Sequence, residues 1–284
     1  MLISGKEIAK KVKAEIVKKI EEIKIQYKED IGISCVFIGN NESSLSYVNS
    51  QKRLCEELGV RFSLETLKED CQEKEVLSLI ENLNNDTNTN GIIVLTPLPK
   101  HISFQRVISN ITPEKDIEGI HPYNIGLLSS GTAQFVSPTA LAAWETLKST
   151  NTELQNKKAV IVGRSLIVGR PLLFLLLNIK KSATVTVCHS ATNDLFSFTK
   201  QADILFVAIG KPLYIKSEAV KEGAIVIDIG TNWVNDRLVG DVAFDEVKDK
   251  ASFITPVPGG VGSITSYMLI VNLIKAYKLQ KTAK

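Results

Sequence analysis

The 284-residue chain is long enough for about two domains, and its 44% hydrophobic and 23% charged residues are typical of a globular protein. A net charge of +3 is too small to indicate nucleic acid as a partner, no apolar run is long enough to span a membrane, and the first residues leave no room for a signal peptide. Four scattered cysteines without a C-x-x-C pair, together with three isolated histidines, predict a reduced, cytoplasmic protein that has no metal site.

The first half of the chain predicts a parallel sheet covered by helices. Apolar residues recur at helical spacing from Ile8 to Ile23 and predict an amphipathic helix. Strands and helices are then predicted in the order β-α-β-α-β, over residues 34–38, 44–58, 60–67, 73–83 and 91–95. This order is typical of parallel strands joined by helical crossovers, so the expected fold class is α/β.

The second half repeats this alternation after an irregular middle. Pro97 and Pro99 end the strand predicted over residues 91–95. Residues 112–137 contain several glycines and prolines and show little periodicity, which predicts a long functional loop. The later predictions are a connecting helix over residues 138–148, strands over residues 159–162, 184–187, 204–208 and 224–228, and a last helix over residues 264–279.

Two glycine-rich segments carry the strongest functional signal. The segment Gly163-Arg-Ser-Leu-Ile-Val-Gly-Arg-Pro171 lies between two apolar runs, where a turn can bring backbone N–H groups and a helix start close to a pyrophosphate. Its spacing differs from G-x-G-x-x-G, so the pattern alone leaves a purely structural turn open. The segment Thr255-Pro-Val-Pro-Gly-Gly-Val-Gly262 combines stiff prolines with glycines that let the backbone approach a flat ring.

These two segments resemble the methylenetetrahydrofolate dehydrogenase/cyclohydrolase family, as do residues 46–59, 94–99 and 113–126. The resemblance implies an N-terminal parallel-sheet α/β substrate domain over residues 1–139, joined by the terminal helix 265–284. It also implies a C-terminal Rossmann-like NAD(P)-binding domain over residues 140–264, with the two domains around a cleft. The expected protein is a homodimer that oxidises 5,10-methylenetetrahydrofolate in one-carbon metabolism and uses NADP.

The resemblance assigns the cofactor-binding positions. They are Gly163, Arg164, Ser165, Val168, Gly169, Ser190, Gly210, Thr231, Gly259 and Gly260. No acidic residue follows the strand before Ser190 until Asp194, and Arg164 lies in the phosphate turn, which favours NADP over NAD. The alternative is that Arg164 is an ordinary surface residue.

The resemblance also implies the folate contacts. Tyr47 matches a tyrosine that stacks on the aromatic part of folate, and Tyr47, Gln51 and Glu118 match the catalytic positions. Tyr47 and Glu118 are also substrate-binding matches. The other substrate-binding matches are Leu95, Pro97, Pro258, Gly259 and Gly260.

Three positions depart from the family pattern, and all three concern hydrolysis of the methenyl product. The family has lysine where this chain has Gln51, glutamine where it has Leu95, and aspartate where it has Glu118. Hydride transfer requires alignment, whereas hydrolysis requires a titratable group that activates water and moves a proton. The sequence therefore favours a dehydrogenase with weak or absent cyclohydrolase. The alternatives are a fully bifunctional enzyme, in which Lys52 or another group completes the hydrolysis, and a non-catalytic folate- or nucleotide-binding homologue.

Overall fold

The computed structural model describes residues 1–282, apart from the side chains of Glu42 and Ser43. The chain forms two compact units, each with a parallel sheet, which confirms the predicted α/β fold class. The three-stranded unit comprises Lys13–Leu127, Ala133–Val136 and the chain from Leu269, and the five-stranded unit comprises Met1–Val12, Leu128–Thr132 and Ser137–Met268. No helix within residues 1–282 is long and apolar enough to cross a membrane.

The three-stranded unit is built around its central strand, β1. The strands are β1 (Gly32–Ile38), β2 (Arg61–Leu67) and β3 (Gly91–Val94), in the order β2-β1-β3 and all parallel. The helices in this half of the chain are α1 (Gly5–Tyr27), α2 (Glu42–Leu58), α3 (Glu73–Asn85), α4 (Phe104–Ser109) and α5 (Pro122–Ser129). All seven residues of β1 are buried, as expected of a strand that is covered on both faces.

Local signals set both ends of α2. The side chain of Asn41 accepts the N–H of Ser44 at 3.1 Å, which satisfies one of the unpaired amides of the first turn. Gly59 ends the helix at φ +66°, and its N–H binds the carbonyls of Cys55 and Glu56. Because both ends are set, the register of the helix is set as well, and residues four apart share one face.

The five-stranded unit is doubly wound. Its sheet contains β4 (Lys158–Val162), β5 (Thr184–Cys188), β6 (Ile204–Val207), β7 (Ile225–Asp228) and β10 (Phe253–Ile254), in the order β10-β7-β6-β4-β5 and all parallel. The antiparallel hairpin of β8 (Asn232–Val234) and β9 (Arg237–Val239) lies outside this sheet. The helices in this half of the chain are α6 (Pro138–Lys148), α7 (Gly169–Leu177), α8 (Leu195–Thr199), α9 (Phe244–Val247) and α10 (Gly262–Thr282). Helix α10 begins in the five-stranded unit and belongs to the three-stranded unit from Leu269 onward.

The strand order creates a topological switch point between β4 and β6. The chain first adds β5 on one side of β4 and then crosses over to add β6 on the other side. In open parallel sheets of this kind, ligands bind outside the carboxyl ends of the strands at the switch point. The fold therefore points to the residues directly after Val162 and Val207.

The prediction of an irregular loop over residues 112–137 is wrong in part, because this segment contains α5 and a 3-10 turn at Pro113–Lys115. The buried carboxylate of Asp116 accepts the N–H of His121 at 2.7 Å and the side-chain amide of Asn124 at 2.8 Å. These contacts order the start of α5 without a periodic sequence pattern. The short α4, α8 and α9 were also not predicted.

Candidate functional site

The carboxyl edge of the three-stranded sheet gathers the predicted catalytic residues. Leu95 extends β3 by one residue, since its N–H binds the carbonyl of Val36 at 3.0 Å. Asp116 forms a parallel bridge with Ile92, so that the chain runs beside β3 and Glu118 reaches Val94. The N–H of Val94 donates a hydrogen bond to the Glu118 carboxylate. Glu118 and Leu95 therefore lie at the same end of β3.

Helix α2 brings Tyr47 and Gln51 to this region. Tyr47 is 39% exposed, whereas Gln51 is 1% exposed and Cys55, one further turn along the same face, is fully buried. Lys52 is exposed on another face, as the helical spacing predicts. The side chain that replaces the family's lysine thus points into the protein.

Tyr47 and Glu118 belong to one electrostatic cluster. Burial, and secondarily the charge of Asp116, raise the pKa of Glu118 from 4.5 to about 8, while the hydrogen bond from Val94 opposes this rise. Burial raises the pKa of Tyr47, and the nearby groups of Glu118, Cys35 and Cys55 raise it further. The phenol and the carboxyl group both favour their neutral forms in this cluster.

Two buried thiols, those of Cys35 and Cys55, lie near Tyr47. Burial raises the pKa of both Cys35 and Cys55 to about 12, so both are held as unreactive thiols.

Within residues 1–282 no group of three or more His, Cys, Asp or Glu side chains is arranged to hold a metal ion.

The glycine turn after β4 lies at the topological switch point of the five-stranded sheet. Gly163 has φ +127°, and a Cβ at this position would overlap the carbonyl oxygen of Ala208, which follows β6. A Cβ at Gly169, the first residue of α7, would overlap the carbonyl oxygen of Gly163. The tight turn therefore requires glycine at both positions and presents a helix start at the edge of the sheet, as a bound dinucleotide requires.

Polar side chains line the same edge next to this turn. Gly163 donates its N–H to the carbonyl of Cys188 at 2.9 Å, which places the turn beside the end of β5. Arg164, Ser165 and Ser190 are all exposed there. A guanidinium group and two hydroxyl groups are suitable donors for a phosphate monoester. Among the described residues of the loop 189–192 there is no acidic side chain that would repel one.

The remaining predicted cofactor positions also follow strands of this sheet. Val168 is buried directly before α7, and its N–H binds the Ser165 hydroxyl at 3.1 Å. Gly210 follows β6 and Thr231 follows β7, and both are exposed. All ten of the predicted cofactor positions therefore lie in the five-stranded unit.

Backbone packing and backbone conformation require glycine in the Pro-Gly-Gly loop. Gly5 donates its N–H to the carbonyl of Gly259 at 2.8 Å, and a Cβ at Gly5 would overlap the carbonyl oxygen of Gly260. A Cβ at Gly260 would overlap the carbonyl oxygen of Pro256, and Gly259 has φ +102°. Close backbone packing therefore explains glycine at position 260, and the positive φ explains glycine at position 259, without a ligand.

The predicted folate contacts divide between the two units. Pro97 is exposed and follows β3 in the three-stranded unit, with Leu95 and Glu118. Pro258, Gly259 and Gly260 belong to the five-stranded unit. Pro258 is exposed, whereas Gly260 is buried.

Comparison with known proteins gives matches over nearly the whole chain. Residues 3–118 match the catalytic domain of tetrahydrofolate dehydrogenase/cyclohydrolase, and residues 137–281 match its NAD(P)-binding domain. The chain is 47% identical over 278 residues to the bifunctional protein FolD of Bacillus licheniformis, covering 98% of this chain and 97% of that protein.

Solved structures give the same result. The bifunctional enzyme FolD, methylenetetrahydrofolate dehydrogenase/cyclohydrolase, from Campylobacter jejuni superimposes with a TM-score of 0.95 at 41% identity, covering 99% of each chain. The methylenetetrahydrofolate dehydrogenase-cyclohydrolase of Trypanosoma brucei, solved with NADP cofactor and an inhibitor, has a TM-score of 0.94 at 34% identity, covering 99% of this chain and 98% of that chain.

Proposed function

This chain belongs to the tetrahydrofolate dehydrogenase/cyclohydrolase family, and from that premise we propose that it oxidises 5,10-methylenetetrahydrofolate to 5,10-methenyltetrahydrofolate with NADP, while hydrolysis of the product is weak or absent. The observation that carries the proposal is that Gln51 is buried on the face of α2 that also bears Tyr47, while Lys52 is exposed on another face. The position that needs a titratable group thus holds a neutral amide.

The three-stranded unit provides the folate contacts in this proposal. Tyr47 stacks its ring on the aromatic part of the substrate, and Glu118 binds the pterin through its carboxyl group. Leu95 and Pro97 line the end of β3. The partly exposed ring of Tyr47 and the position of Glu118 beside Val94 support these roles. The family resemblance assigns substrate contacts to Pro258, Gly259 and Gly260 of the five-stranded unit as well.

The turn after β4 provides the cofactor contacts. Gly163, Val168 and Gly169 form the turn and the helix start that receive the pyrophosphate, and Arg164, Ser165 and Ser190 bind the 2′-phosphate. Gly210, Thr231, Gly259 and Gly260 complete the site. NADP, when bound, supplies the nicotinamide ring that accepts a hydride. The residues named here bind and orient it, and none of them needs to transfer a proton in that step.

Hydrolysis of the methenyl product makes a different demand. A water molecule must be activated by a group that exchanges protons, and such groups typically contribute about 10²–10⁴-fold to the rate. Gln51 exchanges no proton at neutral pH, and Leu95 has no polar side-chain atom with which to orient a lysine or a water. The proposal therefore retains hydride transfer and removes the efficient route to hydrolysis.

The second candidate is a fully bifunctional enzyme. Two observations favour it. Relatives at 47% and 46% identity are named bifunctional, and the Glu118 carboxyl group, with its pKa raised to about 8, is suited to exchange protons near neutral pH. In this alternative Glu118 or Lys52 would replace the missing lysine. A non-catalytic binding homologue is the third candidate.

One assay separates the three candidates. Purified protein is incubated with methylenetetrahydrofolate and NADP, and the NADPH and the methenyl product are followed separately. The dehydrogenase proposal expects NADPH to form while the methenyl product decays no faster than in buffer alone. Enzyme-dependent decay well above that of buffer would establish the bifunctional alternative, and a lack of NADPH would leave the non-catalytic one.

The assembly and cellular location are proposed on the same premise. The family resemblance supports a homodimer built through the NAD(P)-binding domain, and the four buried, free cysteines fit a reduced cytoplasmic protein. Sedimentation should give twice the 31.2 kDa mass of one chain. A monomer at micromolar concentration would contradict the homodimer.

A further inference from the structure

A buried carboxylate holds the loop that follows β6. Three consecutive backbone N–H groups donate to Asp241: those of Ile209 and Gly210 bind its Oδ2 at 2.7 and 3.0 Å, and that of Lys211 binds its Oδ1 at 2.8 Å. Asp241 is fully buried. Successive N–H groups curved in this way form a site for an anion, and here a side chain of the protein fills that site.

The same carboxylate also holds the segment that follows β7. The side-chain amide of Asn232 donates to Oδ1 of Asp241 at 2.9 Å. Gly230, two residues earlier, donates its N–H to Oδ1 of Asp228 at 3.0 Å. Thr231, a proposed cofactor contact, therefore stands between two residues that are each bound to a buried aspartate.

Asp228 links these loops to a third segment. Its Oδ1 accepts the N–H of Asp241 at 3.1 Å, and its Oδ2 accepts the N–H of Val242 at 2.9 Å. The N–H of Asp228 itself donates to the hydroxyl of Thr255, directly before the Pro-Gly-Gly loop, at 2.8 Å. The two aspartates thus connect the loops after β6, β7 and β10.

Steric fit explains why glycines accompany these aspartates. A Cβ at Gly230 would overlap the carboxylate of Asp241, and a Cβ at Gly240 would overlap that of Asp228. Neither glycine has a positive φ, so the close approach of a carboxylate is the reason for glycine at these positions. Their absent side chains leave the space that the carboxylates occupy.

From these contacts we infer that Asp241 is a positioning residue for the NADP site, which acts by holding Gly210 and Thr231 at the carboxyl edge of the five-stranded sheet. The inference rests on the proposed function. Asp241 itself is enclosed and reaches the cofactor through these two residues. Because the N–H of Gly210 already binds Asp241, Gly210 contacts the cofactor through its Cα or carbonyl group.

Asp203 offers a matched control within the same unit. It directly precedes β6, whereas Ile209 follows that strand, so the two aspartate-anchored points lie at opposite ends of one strand. Like Asp241, it accepts a backbone N–H, that of Lys158 at 2.8 Å, and it also binds the ammonium group of Lys221 at 2.6 Å. Loss of Asp203 should destabilise the unit without disturbing the carboxyl edge.

The test compares Asp241→Asn with Asp203→Asn. Either orientation of an amide at position 241 places an NH₂ group against two of the donors that the carboxylate now accepts. We expect Asp241→Asn to raise the Kd of NADP at least tenfold, measured by direct titration, and to raise the KM of NADP with it. The KM of methylenetetrahydrofolate should change less than twofold. Asp203→Asn should lower the Tm and leave both constants within twofold.

A purely structural role would give a different result. In that case Asp241→Asn would lower the Tm and the active fraction and leave the Kd of NADP for the folded protein unchanged, which would overturn the inference. If Asp241→Asn does not fold, Asn232→Ala removes one contact of the same carboxylate and should raise the Kd of NADP several-fold, and an unchanged Kd would again overturn it. Wild-type protein that does not bind NADP would instead overturn the proposed function.

Discussion

The carboxylate of Asp228 accepts the backbone N–H of Asp241 at 3.1 Å, so two buried aspartates of the five-stranded unit lie in one hydrogen-bonded chain. Gly240 occupies the narrow space beside them, where a Cβ would overlap Oδ2 of Asp228. Gly240→Ala should therefore destabilise the five-stranded unit by about 1–3 kcal/mol, the usual cost of forcing extra volume into a packed region.

Gly262→Ala is the control for that substitution. It lies in the same unit, and a Cβ at Gly262 would meet nothing within 4 Å. Chemical denaturation at equilibrium should show a lower midpoint for Gly240→Ala and an unchanged or higher midpoint for Gly262→Ala. Equal midpoints for the two variants would contradict the steric explanation.

Arg164 should determine the preference for NADP. A charge-assisted bond between a guanidinium group and a phosphate contributes roughly 1.5–3 kcal/mol, so Arg164→Ala should weaken NADP binding about tenfold or more. NAD lacks the 2′-phosphate, and its binding should change little. Arg170→Ala, which removes another exposed arginine of the same segment, should leave both affinities near the wild-type values. A wild-type preference for NAD, or equal losses for both cofactors in Arg164→Ala, would contradict this role.

Tyr47 should bind the substrate and leave the cofactor unaffected. Tyr47→Ala removes the stacking face and should raise the KM of methylenetetrahydrofolate, whereas Tyr47→Phe keeps that face and should be mild. Direct titration with NADP should give the same Kd for all three proteins. If Tyr47→Ala lost NADP binding as well, the residue would have to be assigned to the stability of the fold.

The contribution of Glu118 to the stability of the folded protein should decrease as the pH rises through the range in which Glu118 titrates. Glu118 holds its proton up to about pH 8 in the folded protein, whereas in the unfolded chain it releases the proton near its ordinary pKa of 4.5. Between these values the folded state binds more protons, so the free energy of unfolding decreases with rising pH and levels off above about 8. Glu118→Gln removes this contribution.

Chemical denaturation of the wild type and of Glu118→Gln on both sides of neutral pH checks this linkage. The stability of the variant relative to the wild type should increase from acidic to alkaline pH. Parallel pH profiles for the two proteins would show that the carboxyl group of Glu118 titrates normally.

Hydrolysis of the methenyl product should appear when the family's residues are restored at positions 51 and 95 together. Gln51→Lys alone leaves Leu95 in place, which has no polar side-chain atom with which to orient the new lysine, so we expect little activity from it. Gln51→Lys with Leu95→Gln should accelerate decay of the methenyl product above the rate in buffer, without loss of hydride transfer. Lys52→Gln is the control, since Lys52 is exposed and should not contribute. Wild-type hydrolysis that Lys52→Gln abolishes would instead favour the bifunctional alternative.

Local sequence patterns predicted most of the regular elements. Strands β1, β4 and β7 are mostly apolar, and a glycine, Gly59, ends α2. Apolar composition and a terminal glycine were sufficient to predict these elements. Helix α5 was missed because it depends on contacts that are not periodic. The ammonium group of Lys115, for example, binds the carbonyls of Leu83 and Asp86 at the end of α3, about thirty residues earlier.

The site could be predicted less completely than the fold. The positions of Tyr47 and Gln51 followed from the helical period, and the place of Gly163 followed from the strand that precedes it. Nothing in the sequence indicates that Asp241 binds three amides about thirty residues earlier. Such contacts arise when parallel strands bring distant loops to one edge, and one sequence does not record that proximity.

The amides bound by Asp241 offer an observable in solution. Loops with exposed residues normally exchange their amide hydrogens with solvent quickly, because little free energy is needed to open them. Gly210 is exposed, yet its N–H and those of Ile209 and Lys211 bind an enclosed carboxylate. These three hydrogens should therefore exchange slowly and together, at a rate set by the opening that releases Asp241. Slow exchange of these three amide hydrogens in an exposed loop would thus show that the cofactor site is already ordered before any cofactor is added.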